Sequence, residues 1–295
     1  MQNEKQCPAI MPRTWFITGC SSSLGRQLAI TAAENKDVVI ATSRDTSKLS
    51  DLVSMGVIAK KLNVQASDAE VKAVIDDVIS TVGPIDILVN NAGWIWEGGV
   101  EECSHQESID QFDVNFFSQI RILRAALPSM RARKSGVVVN FGSISGWQGS
   151  PAAGMYCATE AAIVIYTETL RNELAPFHID VTYVEPGYFR TNFLTRGHKV
   201  TAKNCIPELD VGTQATRDAI AANSLHQPRD PATGAQVLFE AFTKTGRCEG
   251  RSLPGRLALG RNSLAVVKGI IAHEQDILDS WEEIVAATPF DDVKA

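Results

Sequence analysis

Residues 15–25 read WFITGCSSSLG, which places a short apolar strand, a glycine turn and the start of a helix in direct succession. Backbone N–H groups at a helix N-terminus that follows such a turn can bind a phosphate or pyrophosphate. Gly19 allows the tight turn, and Gly25 lets the helix pack closely on the strand. The stretch predicts the first unit of a dinucleotide-binding sheet, although a glycine turn alone also occurs in βα turns without a ligand.

Most of the chain continues this alternation of short β-branched runs and longer helical patterns, which is typical of βαβ units and a parallel sheet. After Pro186-Gly187 the alternation stops, and we expect residues 188–228 to form a helical or loop cap. We therefore predict an α/β fold with a doubly wound parallel sheet of the Rossmann type, in a single domain spanning 1–295, with the substrate cap inserted after the sixth strand. The patterns predict strands at 15–18, 38–42, 57–59, 84–89, 137–141, 179–184 and within 251–258, and helices at 24–34, 67–81, 108–133, 155–175, 231–242 and around Trp281.

The overall composition argues against nucleic acid as a partner. The 295 residues carry a net charge of −6 at pH 7, and Lys and Arg form no extended cluster that could neutralise phosphates. The six cysteines are widely spaced without a C-x-x-C pair, which predicts neither a disulfide framework nor a metal site. Residues 1–6 are polar, and no apolar run has the length of a membrane span. We expect a cytoplasmic protein with no membrane partner.

Three motifs are similar to those of a known family. Residues 18–25 fit T-G-x-x-x-G-x-G except at Ser23, where the middle glycine is expected; Asn90-Asn91-Ala92-Gly93 and Pro186-Gly187 follow the fourth and sixth strands. Over about residues 14–195 the chain resembles the short-chain dehydrogenase/reductase family, in the branch of 17β-hydroxysteroid-dehydrogenase-like enzymes and fungal natural-product tailoring reductases. The resemblance implies a nicotinamide dinucleotide bound by Thr18, Gly19, Ser22, Ser23, Leu24, Gly25, Asn63, Val64, Asn90, Ala92, Gly93, Tyr156, Pro186, Gly187, Phe189 and Thr191.

The end of the second strand indicates which form of the cofactor binds. A site specific for NAD places an acidic residue there to bind the ribose hydroxyls. This chain has Ser43 followed by Arg44, and a guanidinium can pair with the 2′-phosphate of NADP. The alternative is that Arg44 binds no ligand and is a solvated charge on a loop. We predict NADP(H), bound in part by Ser43 and Arg44.

The resemblance also implies a catalytic set of Asn115, Ser143, Tyr156 and Glu160. Ser143 precedes Tyr156 by thirteen residues, the interval usual in the family. In the family, the serine forms a hydrogen bond with the substrate carbonyl oxygen and the tyrosine transfers a proton. The asparagine holds a water molecule behind the serine and the tyrosine. Glu160 occupies the position of the family's lysine, which binds the nicotinamide ribose and lowers the tyrosine pKa.

The sign of the charge at position 160 matters for the chemistry. Residues four apart share a helix face, so Glu160 is expected to face the same cleft as Tyr156. An ionised carboxylate there could still accept hydrogen bonds from ribose hydroxyls, but it would raise the tyrosine pKa. Oxidation of an alcohol would suffer more from this than reduction of a carbonyl. Two alternatives stay open: Glu160 is neutral or an acid–base group because burial raises its pKa, or it lies on the surface, turned away from the cleft.

Large side chains cluster near the carboxyl ends of strands four to six, where open α/β sheets bind ligands. Such a lining favours a bulky, apolar substrate, a class that includes polycyclic compounds, although any one of these side chains could belong to the core. They are Trp94, Trp96, Trp147, Met155, Tyr188, Phe189 and Phe193.

The sequence is compatible with three functions. The first, favoured by the surrounding motifs, is an NADP(H)-dependent oxidoreductase for a bulky hydrophobic carbonyl or alcohol substrate in secondary metabolism. The second is a non-redox isomerase, dehydratase or cyclase that uses Glu160 or Tyr156, and the third is a catalytically impaired NADP-binding homologue. Helices 108–133 and 155–175 resemble those that pair family members, so we expect a homodimer or homotetramer, with a monomer as the alternative.

Overall fold

The computed structural model of the chain describes residues 11–288, and the polar residues 1–6 and Cys7 lie outside that range. Within it, seven parallel strands form the central sheet, in the order β3-β2-β1-β4-β6-β7-β9, and β5 and β8 form a separate parallel pair. The order reverses between β1 and β4, which is where doubly wound sheets bind ligands. The strands are β1 (Thr14–Ile17), β2 (Val38–Ser43), β3 (Ile58–Lys61), β4 (Ile87–Asn90), β5 (Ile95–Glu97), β6 (Gly136–Phe141), β7 (Ile179–Pro186), β8 (Lys199–Thr201) and β9 (Arg256–Leu259).

Helices cover both faces of the sheet, and two apolar clusters fill the spaces between the layers. On one face Trp15 of the first strand stacks on Phe239, with ring centroids 5.6 Å apart. On the other face Ile75, Leu123 and Leu170 pack against the buried strands. The predicted single-domain α/β fold is thereby confirmed. The helices are α1 (Ser23–Glu34), α2 (Ser50–Ser54), α3 (Asp68–Thr81), α4 (His105–Phe112), α5 (Ser118–Arg133), α6 (Gly154–Leu174), α7 (Asp210–Asn223), α8 (Pro231–Thr243) and α9 (Arg261–Val285).

The predicted helix 108–133 is interrupted in the structure. It begins earlier than predicted, because the Ser104 hydroxyl accepts a hydrogen bond from the backbone N–H of Glu107 at 3.3 Å and caps α4. Residues Asp113–Phe117 then form a π-helical turn before α5. Such turns within helices are frequent at functional sites, and this one carries Asn115.

The segment inserted after β7 contains more regular structure than its weak periodicity suggests. It includes the short strand β8 and the helix α7, and β8 pairs in parallel with β5. An ion pair of 2.7 Å between Lys199 and the buried Glu97 strengthens this attachment, and Arg217 of α7 pairs with the buried Glu102 at 2.6 Å. The insertion is therefore held against the segment that follows β4, by strand pairing and by two ion pairs.

The C-terminal helix predicted around Trp281 is α9. Ser263, near its start, is fully buried and donates a hydrogen bond to the backbone oxygen of Glu185 at 2.9 Å. From residue 271 onward every described residue is exposed. Between residues 11 and 288, no helix combines the length and the apolar composition needed to cross a bilayer.

Candidate active site

One cavity of about 960 Å³ opens at the carboxyl ends of the central strands, at the reversal between β1 and β4. The β1–α1 turn, the end of β2, the loops after β3 and β4, the Ser143 loop, α6 and the segment after β7 all contribute to its wall. All four predicted catalytic residues line it. So do fifteen of the predicted cofactor residues: Gly19, Ser22, Ser23, Leu24, Ser43, Arg44, Asn63, Val64, Ala92, Gly93, Tyr156, Pro186, Gly187, Phe189 and Thr191.

The other three residues predicted to contact the cofactor, Thr18, Gly25 and Asn90, do not line this cavity but lie behind its wall. The Thr18 hydroxyl accepts hydrogen bonds from the backbone N–H groups of Asn91 at 2.9 Å and Ala92 at 3.0 Å. Asn90 is buried and its amide donates to Asn140 across the sheet at 2.9 Å. A Cβ atom at Gly25 would lie 2.2 Å from the Asn91 amide nitrogen. These residues hold the loops that form the cavity.

The β1–α1 turn has the backbone shape of a phosphate-binding loop. Gly19 has a φ of +73°, a conformation that suits glycine. Ser23, at the first position of α1, also has a positive φ of +62°, which is strained for a residue with a Cβ atom. From the inserted segment, His198 Nε2 lies 3.2 Å from the Ser22 hydroxyl. The loop therefore fits a dinucleotide phosphate, and His198 is a candidate neighbour that sequence reasoning missed.

A positive region lies beside this loop, at the end of β2. The Arg44 side chain is exposed and makes no ion pair or hydrogen bond with any residue between 11 and 288. The pKa of His198 is lowered by burial first and then by the charges of Arg44 and Lys48. Ser43 is buried, and its hydroxyl accepts a hydrogen bond from the N–H of Asp45 at 3.2 Å. Arg44, which lines the cavity and has no counter-charge among residues 11–288, favours an anionic group there.

Tyr156 and Ser143 reach the cavity from α6 and from the loop after β6. The Ser143 hydroxyl accepts a hydrogen bond from the N–H of Ser145 at 3.1 Å. Burial raises the pKa of Tyr156 well above its usual value of 10; the nearby Glu160 adds to the shift, and a hydrogen bond with Ser143 opposes it. The phenol is therefore protonated at neutral pH, in a position to donate a hydrogen bond or a proton.

Glu160 faces inward and is only 3% exposed, so the alternative of a surface carboxylate is wrong. One carboxyl oxygen accepts a hydrogen bond from the amide of Asn115 at 3.3 Å, and the other accepts one from the hydroxyl of Tyr183 at 3.1 Å. Burial raises the pKa of Glu160 from 4.5 to about 8, although both hydrogen bonds oppose the shift. At neutral pH the side chain is mostly a neutral acid, and its charge affects Tyr156 fully only at higher pH.

Tyr183 of β7 is a second residue that sequence reasoning missed. Its hydroxyl donates to Glu160 and also accepts the backbone N–H of Ser143 at 2.9 Å. It thus links the carboxyl to the loop that carries the serine. A Cβ atom at Gly142 would lie 1.9 Å from this hydroxyl, so the link requires glycine there. Nothing in the sequence distinguishes Tyr183 from the other apolar residues of a buried strand.

Asn115 connects the same network to the loop after β4. It is 3% exposed, its carbonyl oxygen accepts the N–H of Trp94 at 3.1 Å, and its amide donates to the Trp94 backbone oxygen at 2.9 Å. The π-helical turn therefore places one amide between a cavity loop and the Glu160 carboxyl.

Aromatic side chains line the part of the cavity towards the insertion, but the predicted set was partly wrong. Trp94, Tyr188, Phe189 and Phe193 line the cavity, and Phe193 packs on Tyr156 with ring centroids 6.1 Å apart. Trp96, Trp147 and Met155 do not line it. Trp96 is fully buried in the interior, and Trp147 donates a hydrogen bond to Glu185 at 2.8 Å while Arg256 lies over its ring.

Comparison with known proteins identifies the family. The sequence model of the family described as short chain dehydrogenase matches residues 13–200, and the protein belongs to this family. Members of this family use nicotinamide cofactors.

Three relatives illustrate the similarity. One is 3-ketodihydrosphingosine reductase of Bacteroides thetaiotaomicron, 35% identical over 62% of this chain and 66% of that protein, so the match spans just under two thirds of its length. Another is oxidoreductase claN of Passalora fulva, 37% identical over 71% of this chain and 94% of that protein. Among solved structures, a short-chain dehydrogenase from Streptomyces avermitilis has a TM-score of 0.85 and 35% identity, with 95% of this chain and 99% of that chain covered.

Replacing Ser23 by Gly should stabilise the fold. Glycine relieves the strain of the positive φ, and after its greater backbone entropy is subtracted we expect a gain of about 0.5–1 kcal/mol in the free energy of unfolding, measured with urea. The control is Ser21→Gly in the same turn, where φ is not positive and glycine should cost stability. Equal effects of the two substitutions would contradict the strain at Ser23.

The Glu160 carboxyl should make stability depend on pH. Its pKa is about 8 in the folded protein and near 4.5 when exposed, so between these values the unfolded chain releases a proton that the folded protein keeps. Stability should therefore fall as pH rises from about 5 to 8, by at most about 1.4 kcal/mol per pH unit. Glu160→Gln should remove this decline in urea unfolding experiments, whereas Glu34→Gln, at an exposed site, should not. An unchanged slope in Glu160→Gln would show that the carboxyl is ionised in the folded state.

Proposed function

We propose that this protein is an NADP(H)-dependent reductase that acts on the carbonyl group of a bulky, mostly apolar substrate. The observation that carries the proposal is that one cavity joins three parts: the phosphate-type loop, the Ser143–Tyr156 pair and the aromatic lining of the insertion. The bound nicotinamide would supply or accept a hydride. The cavity volume of about 960 Å³ lies at the upper end of the usual range for cofactor and ligand sites, roughly 300–1,000 Å³.

Ser143 and Tyr156 would act on the carbonyl oxygen. The Ser143 hydroxyl would donate a hydrogen bond to it, and Tyr156 would donate the proton that converts it to a hydroxyl. Burial keeps Tyr156 protonated, which suits a proton donor and disfavours a base. We therefore propose reduction as the favoured direction at neutral pH.

The residues of the β1–α1 turn, with Asn63, Val64 and Gly93, would hold the dinucleotide, and Arg44 with Ser43 would bind the 2′-phosphate. Arg44 has no other ionic partner among residues 11–288, and Lys48 adds positive charge nearby. Glu160 would hold the position of Asn115 and the Ser143 loop, since both carboxyl oxygens already accept hydrogen bonds.

The aromatic side chains Trp94, Tyr188 and Phe193 support a large apolar substrate. The relative named as a 3-ketodihydrosphingosine reductase supports a long or bulky ketone as the substrate class. The relative from Passalora fulva, which the match covers over 94% of its length, is consistent with a tailoring role in secondary metabolism. We place this activity in the cytoplasm.

A second candidate is a non-redox isomerase, dehydratase or cyclase with Glu160 as its acid–base group. The observation that favours it is a buried carboxyl with a pKa of about 8 in the wall of the cavity, because general acids and bases work best when their pKa lies near the operating pH. Under this alternative, NADP would be retained without being consumed.

The proposal is tested by NADPH consumption with a panel of bulky ketones. Tyr156→Phe should lower the rate by about a hundredfold or more, because the proton donor is lost. Tyr166→Phe is the matched control, since Tyr166 lies on the same helix but does not line the cavity.

Two outcomes would contradict the reductase. Binding of NADPH without turnover across the panel would indicate a binding protein. A product of unchanged mass, formed without NADPH oxidation and lost in Glu160→Gln, would identify the non-redox catalyst.

The preference for NADP rests on Arg44. Arg44→Ala should weaken NADPH binding by about 10- to 100-fold, the value of one charge-assisted hydrogen bond to a phosphate, and leave NADH binding unchanged. Titration of each cofactor by fluorescence measures both affinities. Arg26→Ala, which removes a nearby guanidinium bound to Asp51, is the control. Equal losses for NADPH and NADH in Arg44→Ala would argue against a 2′-phosphate contact.

A further inference from the structure

Helix α9 carries an apolar face that the rest of the described chain leaves uncovered. Leu264, Ile271, Leu278, Trp281 and Val285 are each between 48% and 63% exposed. Isolated exposed apolar residues are normal, but a continuous apolar face on one helix marks an interaction surface. From residue 271 onward α9 is exposed all round, so this part of the face has no intramolecular partner among residues 11–288, whereas Val267 in the first half is half-buried.

The spacing of this face is that of a two-stranded coiled coil. Leu264, Ile271, Leu278 and Val285 follow one another at intervals of seven residues. The second seam position, three residues after each of the first three, holds Val267, Glu274 and Trp281. A seven-residue repeat of this kind turns the apolar seam towards another helix along its whole length. The partner that fits is therefore a helix.

The charges indicate that this helix is α9 of a second copy, running in the opposite direction. The first half of the helix, residues 261–273, contains Arg261 and Lys268 and no acidic residue, whereas residues 274–285 contain five acidic residues and no Lys or Arg. A parallel pair would bring the two acidic halves together. An antiparallel pair places the basic half of each helix beside the acidic half of the other, and such a two-fold contact is closed and self-complementary.

The flanking residues agree with this register. Arg261 and Glu282 are 21 residues apart, three full repeats, and so lie on the same side of the seam. The midpoint of Arg261–Val285 is residue 273, so full antiparallel overlap brings Arg261 of one copy within one helical turn of Glu282 of the other. Glu274, the single charged residue in the seam, lies next to this midpoint. One polar seam residue sets register at a cost in stability.

An acidic helix is a poor match for the main alternative, a membrane surface. Helices that lie on membranes are rich in Lys and Arg on their polar face. The exposed half of α9 has Asp276, Asp279, Glu282 and Glu283 instead. We propose that α9 pairs with α9 of a second copy of this chain as an antiparallel two-stranded coiled coil, independently of the catalytic proposal.

The first experiment measures the mass of the full chain in solution, by light scattering after size-exclusion chromatography. Leu278→Glu places a charge in the seam and should halve the mass, whether or not other interfaces hold further copies together. Ala272→Glu adds the same charge at an exposed position outside the seam and should leave the mass unchanged. Circular dichroism checks that both variants stay folded.

The second experiment tests the orientation with a charge exchange. Arg261→Glu and Glu282→Arg should each weaken assembly, by about three- to tenfold in dissociation constant, and the double variant should restore it. Within one chain these residues are about 31 Å apart at 1.5 Å per residue, so a rescue can only arise between copies. Failure of the double variant to recover would overturn the antiparallel arrangement.

Two further results would overturn the coiled-coil proposal. If the Leu278→Glu variant has the same mass as the wild-type chain, α9 does not hold copies together. A monomeric wild-type chain that floats with phosphatidylcholine–phosphatidylserine vesicles would identify the face as a membrane surface and overturn the proposal.

Discussion

The close packing of the β1–α1 turn against the loop after β4 is the constraint on which the site depends. The Asn91 amide donates to the backbone oxygens of Thr18 at 2.9 Å and Gly19 at 3.3 Å, while the Thr18 hydroxyl accepts the N–H groups of Asn91 and Ala92. Gly25 leaves the space that the Asn91 amide occupies. These contacts fix the two sides of the cleft at the point where the strand order reverses, so the phosphate-type loop and the substrate side face one cavity.

The second constraint is the burial of a carboxyl where the family resemblance implies a lysine. Glu160 accepts hydrogen bonds from two neutral donors, Asn115 and Tyr183, and no cation between residues 11 and 288 pairs with it. Without a counter-charge, desolvation outweighs the hydrogen bonds and favours the neutral acid. The sequence suggested an anion beside Tyr156, with a neutral carboxyl as the alternative. The structure favours the neutral carboxyl, and burial becomes the main reason that the phenol stays protonated.

Residues at the ends of strands were the easiest part of the site to predict. In a parallel sheet the carboxyl ends of all strands meet at one edge, so a residue that follows a strand is placed in three dimensions by its position along the chain. That reasoning located Arg44, Gly93 and Ser143. Position along the chain does not show which way a side chain points, and for this reason the prediction that Trp96 and Trp147 line the cavity is wrong.

The sequence alone determined the seven strands of the central sheet with most of the helices between them, the glycine turn and the spacing from Ser143 to Tyr156, because these depend on local periodicity and on backbone conformations that few residues adopt. Only the tertiary structure decided the environment of Glu160, the link through Tyr183, the approach of His198 to the β1–α1 turn and the uncovered face of α9. Each of these depends on contacts between distant segments or on their absence: Tyr183 lies 23 residues from Glu160, and His198 lies 176 residues from Ser22. Burial and pKa follow from such contacts, and no local pattern in the chain encodes them.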